Sequence, residues 1–494
     1  MERSVPQYLP PNPYAKSSLN LPETTASRPP LVSSVEFDAI HDQASSPALK
    51  RDDFGRDFVW GASTAAYQIE GAHKGYGKGE SIWDAFSRMP GKIKDRSTGD
   101  VACDFYHRFP QDLALLRFLN LGAFRFSLSW SRLFPQGRGP INQQGVAFYQ
   151  RVIDACLALG IQPWVTLYHW DLPQALENQG GWANRDVLGW FAEYVDFATR
   201  TYGDRVKHWM VLNEPTVFTA AGYMLGIHAP GRWGFNNFLP AAHHAALCQA
   251  EGGRIAKANV PDAEIGTTLS FTPIEPCDEN KPRHVAAAGR LDAVYNRFFL
   301  EASLGMGYPY ETVSGLRDVD RYFREGDEQR LPFDFDFIGV QNYTRELASF
   351  SPLNPLVWAE PVPAEKRGVD TTAMKWEVYP EGLYQILKKV SRYPGVKKVY
   401  VTENGAAFPD TVQNGRVVDA RRVQFFHDYL AQVRRAKREG AKVDGYFAWS
   451  LMDNFEWAEG YQPRFGLVHV DFQTQQRIVK ESGHWFRQFL RVDA

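Results

Sequence analysis

Two glutamates, Glu214 in Val211-Leu212-Asn213-Glu214-Pro215 and Glu403 in Tyr400-Val401-Thr402-Glu403-Asn404-Gly405, each close a short apolar run. A facing pair of carboxyl groups is the minimum equipment for cleaving a glycosidic bond. Either glutamate alone could equally be a solvated residue at an ordinary strand-to-helix turn. The chemistry therefore depends on what brings two residues so far apart in the chain together. The runs that carry them, His208 to Leu212 and Val396 to Val401, are rich in β-branched and aromatic residues and too short for helices. Pro215 and Gly405 follow closely, which puts each glutamate at a strand end. If both runs are parallel strands of one barrel, their C-terminal ends open on a common mouth.

The remaining elements fit that requirement. Strands are expected over Phe58 to Ser63, Ala123 to Leu128, Gln162 to Tyr168, Trp209 to Asn213, Glu264 to Leu269, Phe335 to Gln341, Val399 to Thr402 and Asp444 to Trp449. Helical stretches lie between them, such as Tyr149 to Leu159 before Gly160 and Val187 to Tyr202 before Gly203, with each glycine read as a C-cap. Eight strands alternating with helices predict a single α/β domain, a (β/α)8 TIM barrel with elaborated βα loops, over residues 53–494. Residues 1–52 differ: Pro10-Pro11-Asn12-Pro13, Pro29-Pro30 and Ser45-Ser46-Pro47 show no apolar periodicity and predict an extended or disordered Pro/Ser-rich N-terminal extension. That extension is read either as a passive tail or as a segment that docks on the barrel or a partner subunit.

Composition narrows the class. The 494 residues are 44% hydrophobic with a formal net charge of −2, which gives no electrostatic reason to expect nucleic acid or an anionic membrane as partner. Aromatics reach 14%, with 14 Trp, which suits either a large core or a site that stacks sugar rings on indoles. Cys103, Cys156, Cys248 and Cys277 form no CxxC pair, so neither a zinc site nor a disulfide framework is expected. No run of about 18 apolar residues and no secretory layout is visible, and the expected location is cytoplasmic.

The segments after the expected strands collect groups suited to a ring of hydroxyls. Tyr67-Gln68-Ile69-Glu70 follows the first, Ser129-Trp130-Ser131-Arg132 the second, Tyr168-His169-Trp170-Asp171 the third and Trp449-Ser450-Leu451-Met452-Asp453-Asn454-Phe455-Glu456-Trp457 the eighth. Amide, imidazole, carboxylate and indole groups at one mouth can hold polar hydroxyls over an apolar face. Taken singly, His169 reads as well as a structural histidine, and Trp449 or Trp457 as core.

Together with the Phe58 to Gly71 and Arg125 to Arg132 motifs and the two glutamate motifs in order, these segments make the chain resemble the family 1 glycoside hydrolases, the β-glucosidase and β-glycosidase family, from Phe54 to about Phe489. The resemblance implies Glu214 as general acid/base and Glu403 as nucleophile, with Arg125 and Tyr343 beside Glu403 and Asn213 at the sugar 2-hydroxyl. It implies Gln68 and Glu456 as a bidentate grip on the outer hydroxyls, His169, Trp170, Asn213, Gln341 and Trp457 as further contacts, and Trp449 as the platform under the ring. No metal or cofactor is implied. Gln341 stands where the family commonly has asparagine, which puts its contact in question. A carboxylate at Glu456 speaks against 6-phosphorylated sugars.

The expected activity is that of a retaining exo-β-glycosidase acting on a small-molecule β-glucoside or oligosaccharide, with β-galactosidase or β-fucosidase side activity. A catalytically silent sugar-binding protein and a transglycosidase on the same barrel are the alternatives. The aglycone subsite is assigned to loops such as Ser349 to Arg367, whose conformation the sequence does not give, and the oligomeric state stays open.

Overall fold

The computed structural model describes residues 49–354 and 356–491. The expected extension lies outside the described residues as far as Ala48. Arg51–Phe54 is a single 3-10 turn whose Phe54 ring is fully buried, 5.0 Å from that of Trp60, and whose Asp53 pairs with Arg434 at 2.9 Å and Arg438 at 2.7 Å.

Eight strands form a closed, all-parallel barrel in chain order: β1 (Val59–Ser63), β2 (Ala123–Ser127), β3 (Gln162–Tyr168), β4 (His208–Asn213), β5 (Glu264–Ser270), β6 (Phe337–Gln341), β7 (Val399–Asn404) and β8 (Val443–Trp449). Each is followed by a helix: α1 (Phe105–Phe118), α2 (Gln143–Ala158), α3 (Val187–Tyr202), α4 (Phe235–Asn259), α5 (Pro282–Asp292), α6 (Pro380–Ser391), α7 (Ala420–Arg438) and α8 (Glu481–Phe489). The architecture is a (β/α)8 barrel, and all eight expected strands are present with ends that differ by up to two residues.

Helix α3 shows how the outer layer forms. Val187, Trp190, Phe191, Tyr194, Val195, Ala198 and Tyr202 recur at three- and four-residue spacing and are all buried against the barrel. Helix α2 begins six residues before the expected Tyr149, because Asn142 caps it by accepting a hydrogen bond from the Gln144 N–H at 3.2 Å. Gly160 has the left-handed backbone its reading required, at φ +70°, but Gly203 does not, at φ −68°. A Cβ at Gly203 would stand 2.3 Å from Val260 Cγ2 and 2.4 Å from the Thr199 carbonyl, so close packing rather than capping demands glycine there.

The barrel interior is layered. At its N-terminal end Ala123, Trp164, Met210, Phe337, Tyr400 and Phe447, from six strands, form one buried apolar plug, with the Trp164 ring 4.8 Å from Tyr400 and 5.0 Å from Phe447. Gly266 makes room for it, since a Cβ there would fall 2.3 Å from the Phe337 ring. Two residues further along β2 and β3 the inward positions turn polar, with Arg125 and Thr166 hydrogen-bonded at 3.1 Å. The plug thus supplies the floor on which the polar mouth rests. Two parts of the Ser349 to Arg367 segment join a side sheet, in which Glu346–Phe350 pairs with Ile274–Pro276 and with Ala359–Pro361, and Ala364–Arg367 forms a 3-10 turn.

Candidate active site

Both glutamates sit where the strand register is broken. On β4, Met210 pairs with Gly266 but Asn213 with Thr268, so one strand advances three residues while its neighbour advances two. On β7, Val401 pairs with Val340 and Glu403 with Gln341, again one residue longer than the partner. Strict alternation from the inward Met210 and Tyr400 would turn Asn213 and Glu403 away from the barrel axis. The irregularities reverse that parity and aim both side chains inward. Glu403 therefore lies within β7, not beyond its end as the sequence suggested. Glu214 is the first residue past β4, held in the left-handed region at φ +46° with its N–H bonded to the Thr268 carbonyl at 2.9 Å.

Around Glu403 the hydrogen bonds form one connected set. Arg125 Nη1 donates to Oε1 at 2.5 Å, Gln341 Nε2 donates to the same oxygen at 2.7 Å, and the Tyr343 hydroxyl donates to Oε2 at 2.7 Å. The Asn213 side-chain Oδ1 accepts from Arg125 Nη2 at 2.5 Å, Gln341 Nε2 at 2.7 Å and Thr268 Oγ1 at 2.9 Å. Those three donors fix the orientation of the amide, so its Nδ2 faces His169 Nε2 at 2.9 Å and donates to it. Burial, with Arg125 nearby, holds the His169 pKa well below the ordinary value, and the neutral ring carries its proton on Nδ1.

The two carboxyls differ in electrostatics. Burial raises both. For Glu403 the Arg125 charge and the hydrogen bonds from Tyr343 and Arg125 oppose that rise. For Glu214 the negative charge of Glu403 adds to burial and carries the carboxyl well above the ordinary range, with only Ser270 and Arg125 pulling back. The first proton of the pair belongs on Glu214.

The expected sugar-binding groups meet at the same mouth. Gln68 Nε2 donates to Asn454 Oδ1 and the Phe455 carbonyl, both at 3.0 Å, and to Glu456 Oε2 at 3.3 Å. Burial and the nearby charges of Glu403 and Glu459 push Glu456 up to about 8. At pH 7 it is largely neutral, so the sequence argument that its charge would repel phosphate loses force. The ring of Trp457 lies 4.6 Å from Trp170 and 5.8 Å from His169, and His169 lies 6.0 Å from Trp449. Trp170 also donates its Nε1 to the Asn213 main-chain carbonyl at 2.9 Å. Among the described residues Gln68 Oε1, His169 Nδ1 and Gln341 Oε1 are buried with no protein partner. Buried polar atoms of this kind need a partner, and a hydroxyl-rich ligand supplies both donors and acceptors.

The model of glycosyl hydrolase family 1 matches residues 50–493. The chain belongs to glycosyl hydrolase family 1. Within this family it is 41% identical to a β-glucosidase A of Acetivibrio thermocellus over 89% of this chain and 98% of that protein. It is 42% identical to a β-glucosidase A of Thermotoga maritima at the same coverage. A solved structure of the Thermotoga maritima β-glucosidase in complex with glucoimidazole superposes with a TM-score of 0.83 at 42% identity, over 88% of this chain and 98% of that one.

This family 1 chain also uses residues that sequence reasoning did not single out. Thr166 and Thr268 fix Arg125 and Asn213, Asn454 holds Gln68, and Trp83 with His228 backs the aromatic wall, with ring centroids 4.7 Å from Trp457 and 5.7 Å from Trp170 respectively. The two threonines were open to discovery, since each lies at an inward strand position level with Arg125. Trp83 and His228 carried no such signal, because their loops meet only in the folded chain. Among the described residues no group of three or more His, Cys, Asp and Glu side chains could hold a metal, and no helix is long and apolar enough to cross a membrane.

Proposed function

We propose that this family 1 hydrolase is a retaining exo-β-glycosidase that removes terminal β-D-glucosyl residues from small glucosides or oligosaccharides. The observation that carries the reading is the electrostatic division of the two buried carboxyls. Glu214, with its pKa well above the ordinary range, donates a proton to the departing glycosidic oxygen. Glu403, held by Arg125, Gln341 and Tyr343, attacks the anomeric carbon. Bond formation consumes the Glu403 charge, which removes one cause of the raised Glu214 pKa. Glu214 then accepts a proton from the incoming water, and the second displacement restores the original anomeric configuration.

Asn213, locked by three donors, has an amide hydrogen left for the sugar 2-hydroxyl, where a bond that tightens as the oxocarbenium ion develops lowers the barrier. His169, Gln68, Gln341 and the largely neutral Glu456 take the other hydroxyls over the indoles of Trp449 and Trp457, with Trp170 behind them. The experiment is to inactivate the enzyme with a 2-deoxy-2-fluoro-β-glucoside and map the labelled peptide. The glucosyl group should sit on Glu403; a label elsewhere, or no release of nitrophenol from 4-nitrophenyl β-glucoside above the Glu403→Ala background, refutes the assignment.

A further inference from the structure

Behind the sugar-facing segment 449–457 lies a largely buried cluster of three carboxylates and three cations, with Arg464 at its partly exposed edge, that the proposed mechanism leaves unused. Lys480, immediately before α8, is 0% exposed. Its Nζ reaches two different loops, donating to Asp453 Oδ1 at 2.6 Å after β8 and to Asp410 Oδ2 after β7. Arg422 on α7 pairs with Asp410 at 3.1 and 3.2 Å and with Asp419, and donates from Nε to the Ala406 carbonyl at 3.1 Å and from Nη2 to the Arg464 carbonyl at 2.6 Å. Arg464 closes the circuit by donating to Asp453 Oδ2 at 3.0 Å. Burial would raise the Asp453 carboxyl, but Lys480, His469 and Arg464 hold it well below the ordinary carboxylate range, so it stays charged.

Five of these ions have side chains withdrawn almost wholly from water, while Arg464 keeps 22% of its side chain exposed; burying each such ion costs several kcal/mol before pairing, and well-packed apolar side chains would stabilise the same volume at least as well. What ionic pairing supplies and apolar packing does not is a fixed direction and length between particular atoms. Those directions matter here because Asp453 adjoins the residues that grip Gln68. Asn454 and Phe455 each accept a hydrogen bond from Gln68 Nε2 at 3.0 Å, and Glu456 accepts one at 3.3 Å. On the other side, Asp410 and the Ala406 carbonyl belong to the loop that leaves Glu403.

We propose that Lys480 and Asp453 are positioning residues that register the 453–457 segment against the loop following Glu403, and so set the grip of Gln68 and Glu456 on the outer hydroxyls of the sugar. The proposal rests on the glycosidase reading. Its test compares 4-nitrophenyl β-glucoside with 4-nitrophenyl β-xyloside, which lacks the hydroxymethyl group, in wild type, Lys480→Gln, Asp453→Asn and the double variant. Rates are normalised to active enzyme by titration with the fluorinated glucoside, and melting temperatures are recorded.

Misplacing a gripping group by about 1 Å can cost on the order of 100-fold. Each single variant is therefore expected to lose about 100-fold in kcat/KM on the glucoside and at least about 10-fold less on the xyloside, mostly in kcat. The double variant, which restores charge balance with hydrogen-bonding amides, should recover part of the glucoside preference. A folded single variant whose two substrates fall equally overturns the proposal and leaves the cluster a structural support. If both single variants fail to fold, Asp453→Glu decides, because it keeps the charge but lengthens the side chain by a methylene and so shifts the register, and an unchanged glucoside-to-xyloside ratio in it overturns the proposal likewise. An inactive wild type would instead defeat the glycosidase reading, so the two failures are distinguishable.

Discussion

Replacing Tyr343 with phenylalanine isolates the hydrogen bond that, under the proposed mechanism, keeps Glu403 charged for attack. Oε1 of Glu403 has two donors, Arg125 and Gln341, whereas Oε2 has the Tyr343 hydroxyl alone, at 2.7 Å. The phenol itself stays protonated, because burial and the charges of Glu403 and Glu214 raise its pKa well above the ordinary value. A hydrogen bond to a charged group contributes about 1.5–3 kcal/mol. At about 1.36 kcal/mol per pH unit, its loss raises the Glu403 pKa by about 1–2 units. The acidic limb of the kcat/KM profile follows the group that must be deprotonated in the free enzyme. Tyr343→Phe should therefore move that limb upward by about 1–2 units. The basic limb, which follows the proton on Glu214, should move much less, so the bell narrows from one side. The assay is hydrolysis of 4-nitrophenyl β-glucoside from pH 4 to 9 at substrate well below KM. An acidic limb that stays in place or moves to lower pH, with an unchanged melting temperature, refutes the argument that this bond holds the charge.

Other expectations follow from the same contacts. Glu403→Gln removes the charge that adds to burial at Glu214, so the Glu214 pKa, followed by carbon NMR of labelled glutamate, should fall while burial still keeps it above the ordinary range; a rise or no change contradicts the coupling. Gln341→Met keeps the shape but removes the donor to Asn213 and Glu403, and a bond to a charged group corresponds to about 10- to 100-fold in kcat/KM, measured on the same glucoside. Phe447→Ala opens the apolar plug and should cost about 3–5 kcal/mol in urea unfolding, with little change in the pH profile of the remaining folded enzyme.

Much of this protein was legible in the sequence because the signals were local. Short apolar runs alternating with helical stretches located all eight strands, and the motifs holding Gln68, Arg125, His169, Glu214, Glu403 and Glu456 named groups that the barrel then gathers at one mouth. Helix boundaries were less legible where a polar cap, Asn142, sets them. Gly203 does cap the end of α3, but with an ordinary helical backbone, and the contact that demands glycine there, Val260, is close only after folding.

What tertiary structure alone decided is the direction and charge of the side chains. Register breaks on β4 and β7 depend on the lengths of neighbouring strands, and they turn Asn213 and Glu403 inward against the simple two-residue period. The different proton affinities of two chemically identical carboxyls arise from burial and from which of them Arg125 and Tyr343 reach. A sequence fixes which groups are present, but desolvation and hydrogen-bond geometry are properties of the packed barrel, and these give one glutamate the higher proton affinity on which the proposed division into acid and nucleophile rests.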